Sequence, residues 1–204
     1  MAWNWLSDRV PGYQTIAQRL GMQFFEQDVN KLVFTNHKSF QLFRLGMARK
    51  VKFILEGCTN QDEPLRVFEY NYTISTGKSS HTYIQHVYSV NLFKPIPSFV
   101  IKPQNFFHEI GKWFGMQDIE FNAYTEFNKN YLVKSKEEQA FRSFFNDQIL
   151  GFLSYETGWM IECNGDQIIY YKPAKRMNEE MIEPFVQVAS TMHDLLVGRE
   201  TIRS

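Results

Sequence analysis

Apolar and polar positions alternate along this chain in two different rhythms. Tyr13, Ile16, Ala17 and Leu20 fall at i, i+3, i+4 and i+7, which predicts a short helix over 13–20 stopped by Gly21. Met22 to Glu26 reads as a strand. Over 28–45 the apolar Val29, Leu32, Val33, Phe40, Leu42, Phe43 and Leu45 are interrupted by Asn36-His37-Lys38-Ser39, so a helical turn followed by loop is expected. From Val51 the period becomes two. Val51, Phe53 and Leu55 alternate with Lys52, Ile54 and Glu56, and Gly57 ends the run. After the turn at 60–64, Phe68, Tyr70, Tyr72 and Ile74 share one strand face. The loop 75–80 follows, and Thr82, Ile84, His86, Tyr88 and Val90 share a face of the return strand, the clearest hairpin in the chain. Lys94-Pro95-Ile96-Pro97 breaks the ladder before a short strand at 98–101.

The second half has the longer period. Residues 104–114 place Phe106, Phe107, Ile110, Trp113 and Phe114 on an apolar helical stripe. Short extended segments are expected at 118–121 and 131–133. Ser135 with Glu137 and Glu138 reads as the capped start of a helix running to about Tyr155. Trp159 to Cys163 and Gln167 to Tyr171 flank Asn164-Gly165-Asp166, a strong hairpin signal. Asn178 caps a last helix to about Val197, with Met181, Phe185, Val188, Met192 and Leu195 or Leu196 inward. Strands and helices are segregated, so the expected fold is α+β: a mostly antiparallel sheet packed against three principal α-helices. One domain over 1–204 is expected: an N-terminal docking segment and helix (1–20), a strand-rich part (21–103) and a helix-rich part (104–204) carrying the hairpin near 159–171.

Composition narrows the class. The 204 residues are 44% hydrophobic, 16% aromatic and 22% charged, which excludes a disordered chain. Twenty-two basic residues balance 22 acidic ones, so no excess positive charge marks a whole-chain nucleic-acid binder. Cys58 and Cys163 are the sole cysteines, too few for a disulfide framework or structural zinc. The first ten residues lack the apolar core of a signal peptide, and no transmembrane segment is present, so a soluble cytoplasmic protein is expected. The neutral total hides an asymmetry. Residues 1–102 hold 12 basic and 7 acidic groups, and residues 103–204 hold 10 and 15. The basic excess gathers at Arg44, Arg49, Lys50 and Lys52, a surface for an anionic partner if it is not simply solvated loop.

Candidate chemistry is sparse. No phosphate loop, dinucleotide fingerprint, nucleophile elbow or metal-ligand motif occurs, so no cofactor and no metal site are expected. In an extended segment Asp118 and Glu120 point the same way, and two carboxylates on one face suit a divalent cation or acid–base work. They suit ion pairs with a neighbouring strand equally well, and Glu126 adds a third oxygen only by coincidence of spacing. His86 lies on the inward hairpin face, and His81, five residues away, lies on the other. His108-Glu109 reads as a solvated helix edge. His193-Asp194 are adjacent on a helix and do not face each other. Cys58 has no base at diagnostic spacing. Phe40, Phe43, Arg44, Arg49, Lys50 and Phe53 resemble a nucleic-acid surface in composition alone.

The segments Val67-Phe68-Glu69-Tyr70-Asn71-Tyr72-Thr73, Pro97-Ser98-Phe99-Val100-Ile101-Lys102-Pro103 and Gly115-Met116-Gln117-Asp118-Ile119-Glu120-Phe121 resemble a family of uncharacterised bacterial proteins, a domain of unknown function. Thr82, Val87, Phe127, Tyr131-Leu132-Val133 and the run from Glu137 through Arg142 to Phe145 extend the resemblance over most of residues 20–190. Lys102 stands where arginine is more usual, and the membrane segment that precedes the region in some members is not expected here. The resemblance implies no activity, cofactor or catalytic residue. The residues point to a non-enzymatic cytoplasmic binding or scaffold module with a protein or anionic partner. One alternative is a metal-assisted or acid–base enzyme centred on Asp118 and Glu120 with His86. Another is peripheral membrane association through Trp3, Trp5 and the 44–52 basic stretch.

Overall fold

The computed structural model describes residues 5–104, 117–173 and 175–198, with side chains omitted for 5–8 and 117. Among the described residues nine strands form one antiparallel sheet: β1 (Gln23–Gln27), β2 (Met47–Cys58), β3 (Pro64–Ser75), β4 (Ser80–Asn91), β5 (Phe99–Pro103), β6 (Gln117–Ile119), β7 (Tyr131–Ser135), β8 (Met160–Cys163) and β9 (Gln167–Tyr171). Their spatial order is β1-β2-β3-β4-β9-β8-β5-β7-β6. The first four strands are a meander, and four rungs, Tyr88–Asn91 against Gln167–Tyr170, join them to the other five. The helices are α1 (Trp5–Leu20), α2 (Leu32–His37), α3 (Thr125–Asn130), α4 (Glu138–Phe144), α5 (Asp147–Tyr155) and α6 (Ile182–Val197). The fold is therefore α+β. No helix among the described residues is long and apolar enough to cross a membrane.

Each sheet face has its own core. On one face Tyr13 and Ile16 of α1, Phe141 of α4, Leu153 of α5 and Phe185 and Met192 of α6 pack on Leu55, Val67, Tyr88, Val90 and Ile161. Phe121, Phe127, Phe141 and Phe145 form an aromatic knot there, with Phe141 and Phe145 ring centroids 4.8 Å apart. On the other face Phe68, Tyr70 and Tyr72 of β3 lie under Val33, Phe40, Leu42 and Phe43. The Phe43 and Tyr70 rings stack at 4.3 Å. This second cover is a strap, residues 28–46, with little regular structure beyond α2.

Buried polar groups hold the strap down. The fully buried Glu162 of β8 accepts hydrogen bonds from the amides of Gln41 (2.8 Å) and Leu42 (3.3 Å) and from the Tyr171 hydroxyl (2.7 Å). Burial raises its carboxyl pKa, and those three donors counter the shift. His37 donates from Nδ1 to the Val33 carbonyl (2.6 Å), so its Nε2 accepts from the Ser89 hydroxyl at 2.7 Å. Burial pushes the His37 imidazole down to about 4, which keeps it neutral.

The structure corrects several expectations. The first helix starts eight residues before Tyr13, because α1 runs through Pro11, whose missing amide forfeits a single helical hydrogen bond. Val51, Phe53 and Leu55 do not share a face. A bulge between Lys52 and Leu55, with Phe53 at φ 48°, turns Phe53 and Leu55 to the helix side and leaves Val51 and Ile54 on the strap side. The helix expected over 135–155 is two helices, broken at Asn146, whose side chain accepts from the Gln148 and Ile149 amides and starts α5. Ser135 ends β7, where its hydroxyl accepts from the Glu137 amide and donates to the Ser98 carbonyl. Met181 is exposed rather than inward. The expected helix over 104–114, including His108 and Glu109, and the Trp3 and Trp5 side chains lie outside the described residues.

Candidate functional site

The basic stretch lies where β1 runs out before β2 does. The last β1 rung pairs Gln27 with Lys52, and the Asp28 amide still donates to the Val51 carbonyl (3.4 Å), so Met47 to Lys50 extend beyond β1 with β3 on one side only. At the end of β1 the Asp28 carboxylate accepts from the Val33 (3.0 Å) and Phe34 (2.9 Å) amides and turns the chain away from the sheet. The turn passes through Asn30 and Lys31 in the left-handed region, at φ 62° and 54°. Across the gap, Gly46 (φ 58°) and Ala48 (φ 52°) are left-handed too. A Cβ on Gly46 would sit 2.4 Å from the Thr73 carbonyl oxygen, so glycine is required at that close approach. Arg49 donates to the carbonyls of Arg44 (2.8 Å), Leu45 (3.1 Å) and Gly46 (3.0 Å), which fixes the loop that enters β2.

These turns leave a cleft of about 530 Å³, lined by Lys31, Arg49, Lys50 and Lys52 together with Phe34 and Met47. Its size falls in the range of ligand clefts. Asp28 also lines it, and its carboxylate, which accepts from two backbone amides, offsets one of the four positive charges. Non-glycine residues held left-handed cost about 1 kcal/mol or more each and gather where surrounding structure imposes a shape. Lys31 and Ala48 both line this cleft. Four cations on one concave surface of a net-neutral chain create a local positive potential. Three of the four basic residues singled out in the sequence, Arg49, Lys50 and Lys52, line the cleft. Arg44 does not, and Lys31, 18 residues before Arg49 in sequence, joins them.

A second polar cluster lies under α1. Glu69 and His86 are cross-strand neighbours on β3 and β4. The Arg9 guanidinium sits 2.9 Å from the Glu69 carboxylate and donates to the Tyr13 hydroxyl at 3.1 Å, which is 3.1 Å from His86 Nε2. Burial, with the Arg9 and Arg176 charges, pushes the His86 imidazole down to about 3. Burial also raises the Tyr13 phenol, and the Glu69 charge adds to it. A third set joins Glu63 to His193 (2.9 Å) and His193 to the Tyr170 hydroxyl (3.1 Å). Carboxylate, imidazole and phenol are the parts of an acid–base relay, but both sets are buried among the α1, α6 and sheet contacts, where they tie elements together. Arg9 also approaches Glu179 (3.7 Å), and Arg19 pairs with Glu183 (3.0 Å), so the basic first half meets the acidic second half along α1 and α6.

The carboxylate pair expected at the centre of an enzyme is not assembled. Asp118 is 60% exposed and paired with Lys134 at 2.9 Å across the β6–β7 rung. Glu120 lies past the end of β6, exposed, with its carbonyl taking a hydrogen bond from Arg142. His86 is on β4, with β9, β8, β5 and β7 between it and β6. Glu126 pairs with Lys129 at 2.7 Å. Among the described residues no group of three or more His, Cys, Asp or Glu is placed to hold a metal ion. Cys58 is exposed at the end of β2, and Cys163 is buried on β8 with its thiol pushed up to about 12 by burial. Both are free. His193 and Asp194 have separate partners, Glu63 and Asn60. Arg9, Glu63, Glu69 and Glu162 escaped the sequence reading. The available signal was a carboxylate at an inward strand position, as at Glu162 between Ile161 and Cys163.

No family model matches the chain, and no curated protein matches it. One solved structure that does match is the crystal structure of the mycobacterial trehalose monomycolate transport factor A, TtfA. It is 12% identical, with a TM-score of 0.65 over 95% of this chain and 96% of that one, a likeness that shows a shared fold.

Proposed function

We propose that this protein is a non-enzymatic binding module that holds an anionic group of its partner in the cleft between β1, α2 and the start of β2. The observation that carries this reading is the convergence of Lys31, Arg49, Lys50 and Lys52 on one cleft whose backbone is held in left-handed conformations. The carboxylates, by contrast, are dispersed, paired or buried. The neighbour that shares the fold is named as a transport factor, a title without a chemical step, and an accessory role of that kind fits a binding module.

Inorganic tripolyphosphate serves as a soluble probe. Calorimetry is expected to show binding that weakens steeply with salt and falls about tenfold for each lysine removed in Lys31→Asn and Lys50→Gln. Asparagine is chosen at 31 because it tolerates the left-handed backbone. A double variant that binds the probe as tightly as the wild type would sink the reading.

A further inference from the structure

The apolar residues around the cleft say more about the partner than its charges do. Among the described residues, the large apolar side chains left most open to solvent are Phe25, Val29, Leu32, Met47, Phe93, Tyr155 and Met181. Four of these seven belong to residues 25–47, the segment that builds the cleft: Val29 is 72% exposed, Leu32 61%, Met47 59% and Phe25 43%. Met47 lines the cleft itself. Val29 and Leu32 stand on either side of Lys31 in the turn leading into α2. Phe25 shares a face of β1 with Gln27, which also lines the cleft. Glu26, between them on the strand, points to the opposite face by the same alternation.

Exposed aliphatic and aromatic tips interleaved with lysines are what an anionic bilayer recognises. The lysines meet the headgroup phosphates, and the tips enter the boundary with the acyl chains. A small soluble anion would need the cations alone. The tips are also mounted on a firm base: Phe25 and Met47 sit on strands β1 and β2, and Glu162, His37 and Asp28 anchor the strap that carries Val29 and Leu32. We propose that the cleft and its rim form a peripheral docking surface for an anionic lipid bilayer. This rests on the reading of the cleft as an anion site and names its partner.

The test is co-sedimentation of the full chain with vesicles of phosphatidylcholine alone and of phosphatidylcholine with about one third phosphatidylglycerol. Only the anionic vesicles are expected to carry the protein down, with release at high salt. Removing two lysines (Lys31→Asn with Lys50→Gln) is expected to weaken binding about 30-fold, on the basis of roughly fivefold per charge at such a surface. The rim variant Val29→Ser with Leu32→Ser, at two exposed positions outside the cleft lining, is expected to weaken vesicle binding several-fold and to leave tripolyphosphate binding unchanged. Thermal unfolding as in the wild type establishes that each variant is folded. Wild-type protein that binds tripolyphosphate but ignores anionic vesicles overturns the lipid proposal and leaves the anion cleft standing. A folded rim variant that sediments like the wild type overturns it too. Tighter binding to poly-glutamate than to vesicles overturns it in favour of an acidic protein partner. Failure to bind either tripolyphosphate or vesicles overturns both readings together.

Discussion

The two faces of the sheet are covered by different means. On one, helices present apolar stripes, and Phe141, Leu153, Phe185 and Met192 close a large core in which the polar groups of Arg9, Tyr13 and His193 are a minority. On the other, a strap with one short helix lies over Phe68 and Tyr70 and is pinned by Asp28, His37 and Glu162. The helical cover derives its stability from buried area, which is spread over many residues. The strap has fewer apolar side chains and depends on particular hydrogen bonds. It should therefore fail locally where the helix layer fails as a whole.

Phe141→Ala tests the helical face. The side chain is fully buried in the aromatic knot, so urea unfolding should show a loss of about 4 kcal/mol in one cooperative transition. Protease sensitivity within 28–46, measured well below that transition, should stay at the wild-type level. Glu162→Ala should cost about 3 kcal/mol, because two strap amides and the Tyr171 hydroxyl lose a buried acceptor. Its distinguishing outcome is cleavage within 28–46 at protease levels that leave the rest of the chain intact. Equal resistance in this variant and the wild type would show that apolar contacts alone hold the strap.

Acid should separate the same two regions. His37 titrates near 4 and His86 near 3 in the folded chain, against about 6.5 when unfolded. Between those values the unfolded chain binds more protons, so stability falls as pH drops below about 6.5. Each histidine contributes up to about 1.4 kcal/mol per pH unit, or about 2 kcal/mol by pH 5. Glu162 acts in the opposite direction, because its raised folded pKa favours the folded state as pH falls through that value towards 4.5. His37→Gln should remove one of the two histidine contributions from the slope of stability against pH. An unchanged slope would show that His37 takes up its proton without opening the strap. The smallest expected effect belongs to Arg49→Gln. Losing exposed hydrogen bonds to three carbonyls should cost about 1 kcal/mol in chemical denaturation.

Legibility in the sequence follows the same division. The alternation of Phe68, Tyr70 and Tyr72, the Asn164-Gly165 turn (Gly165 at φ 112°) and the Asn178 cap are local patterns with local causes, and each is where the residues placed it. The strap is held by partners far away in sequence: Gln41 by Glu162, and His37 by Ser89 and Gln167. No window of neighbouring residues encodes such a contact, so 28–45 read as helical turn and loop. The bulge at Phe53 was hidden for a related reason. A phenylalanine carries no mark of a left-handed backbone, and the alternation on either side of it looked unbroken. Three of the four cleft cations were readable as the bases at 49–52. The fourth, Lys31, depends on being brought across by the turn at Asp28.

The seam between β4 and β9 bears on how the chain assembles. Among themselves β1 to β4 pair in chain order, with the strap bridging β1 and β2, so this meander can form while the rest of the chain is still being synthesised. The seam must wait, because Tyr88 finds its rung at Tyr170 only after the whole of the second half is present. Until then β4 has an unpaired edge bearing Tyr88 and Val90, the kind of template on which chains join one another. Refolding yield should therefore fall with protein concentration before any other property does.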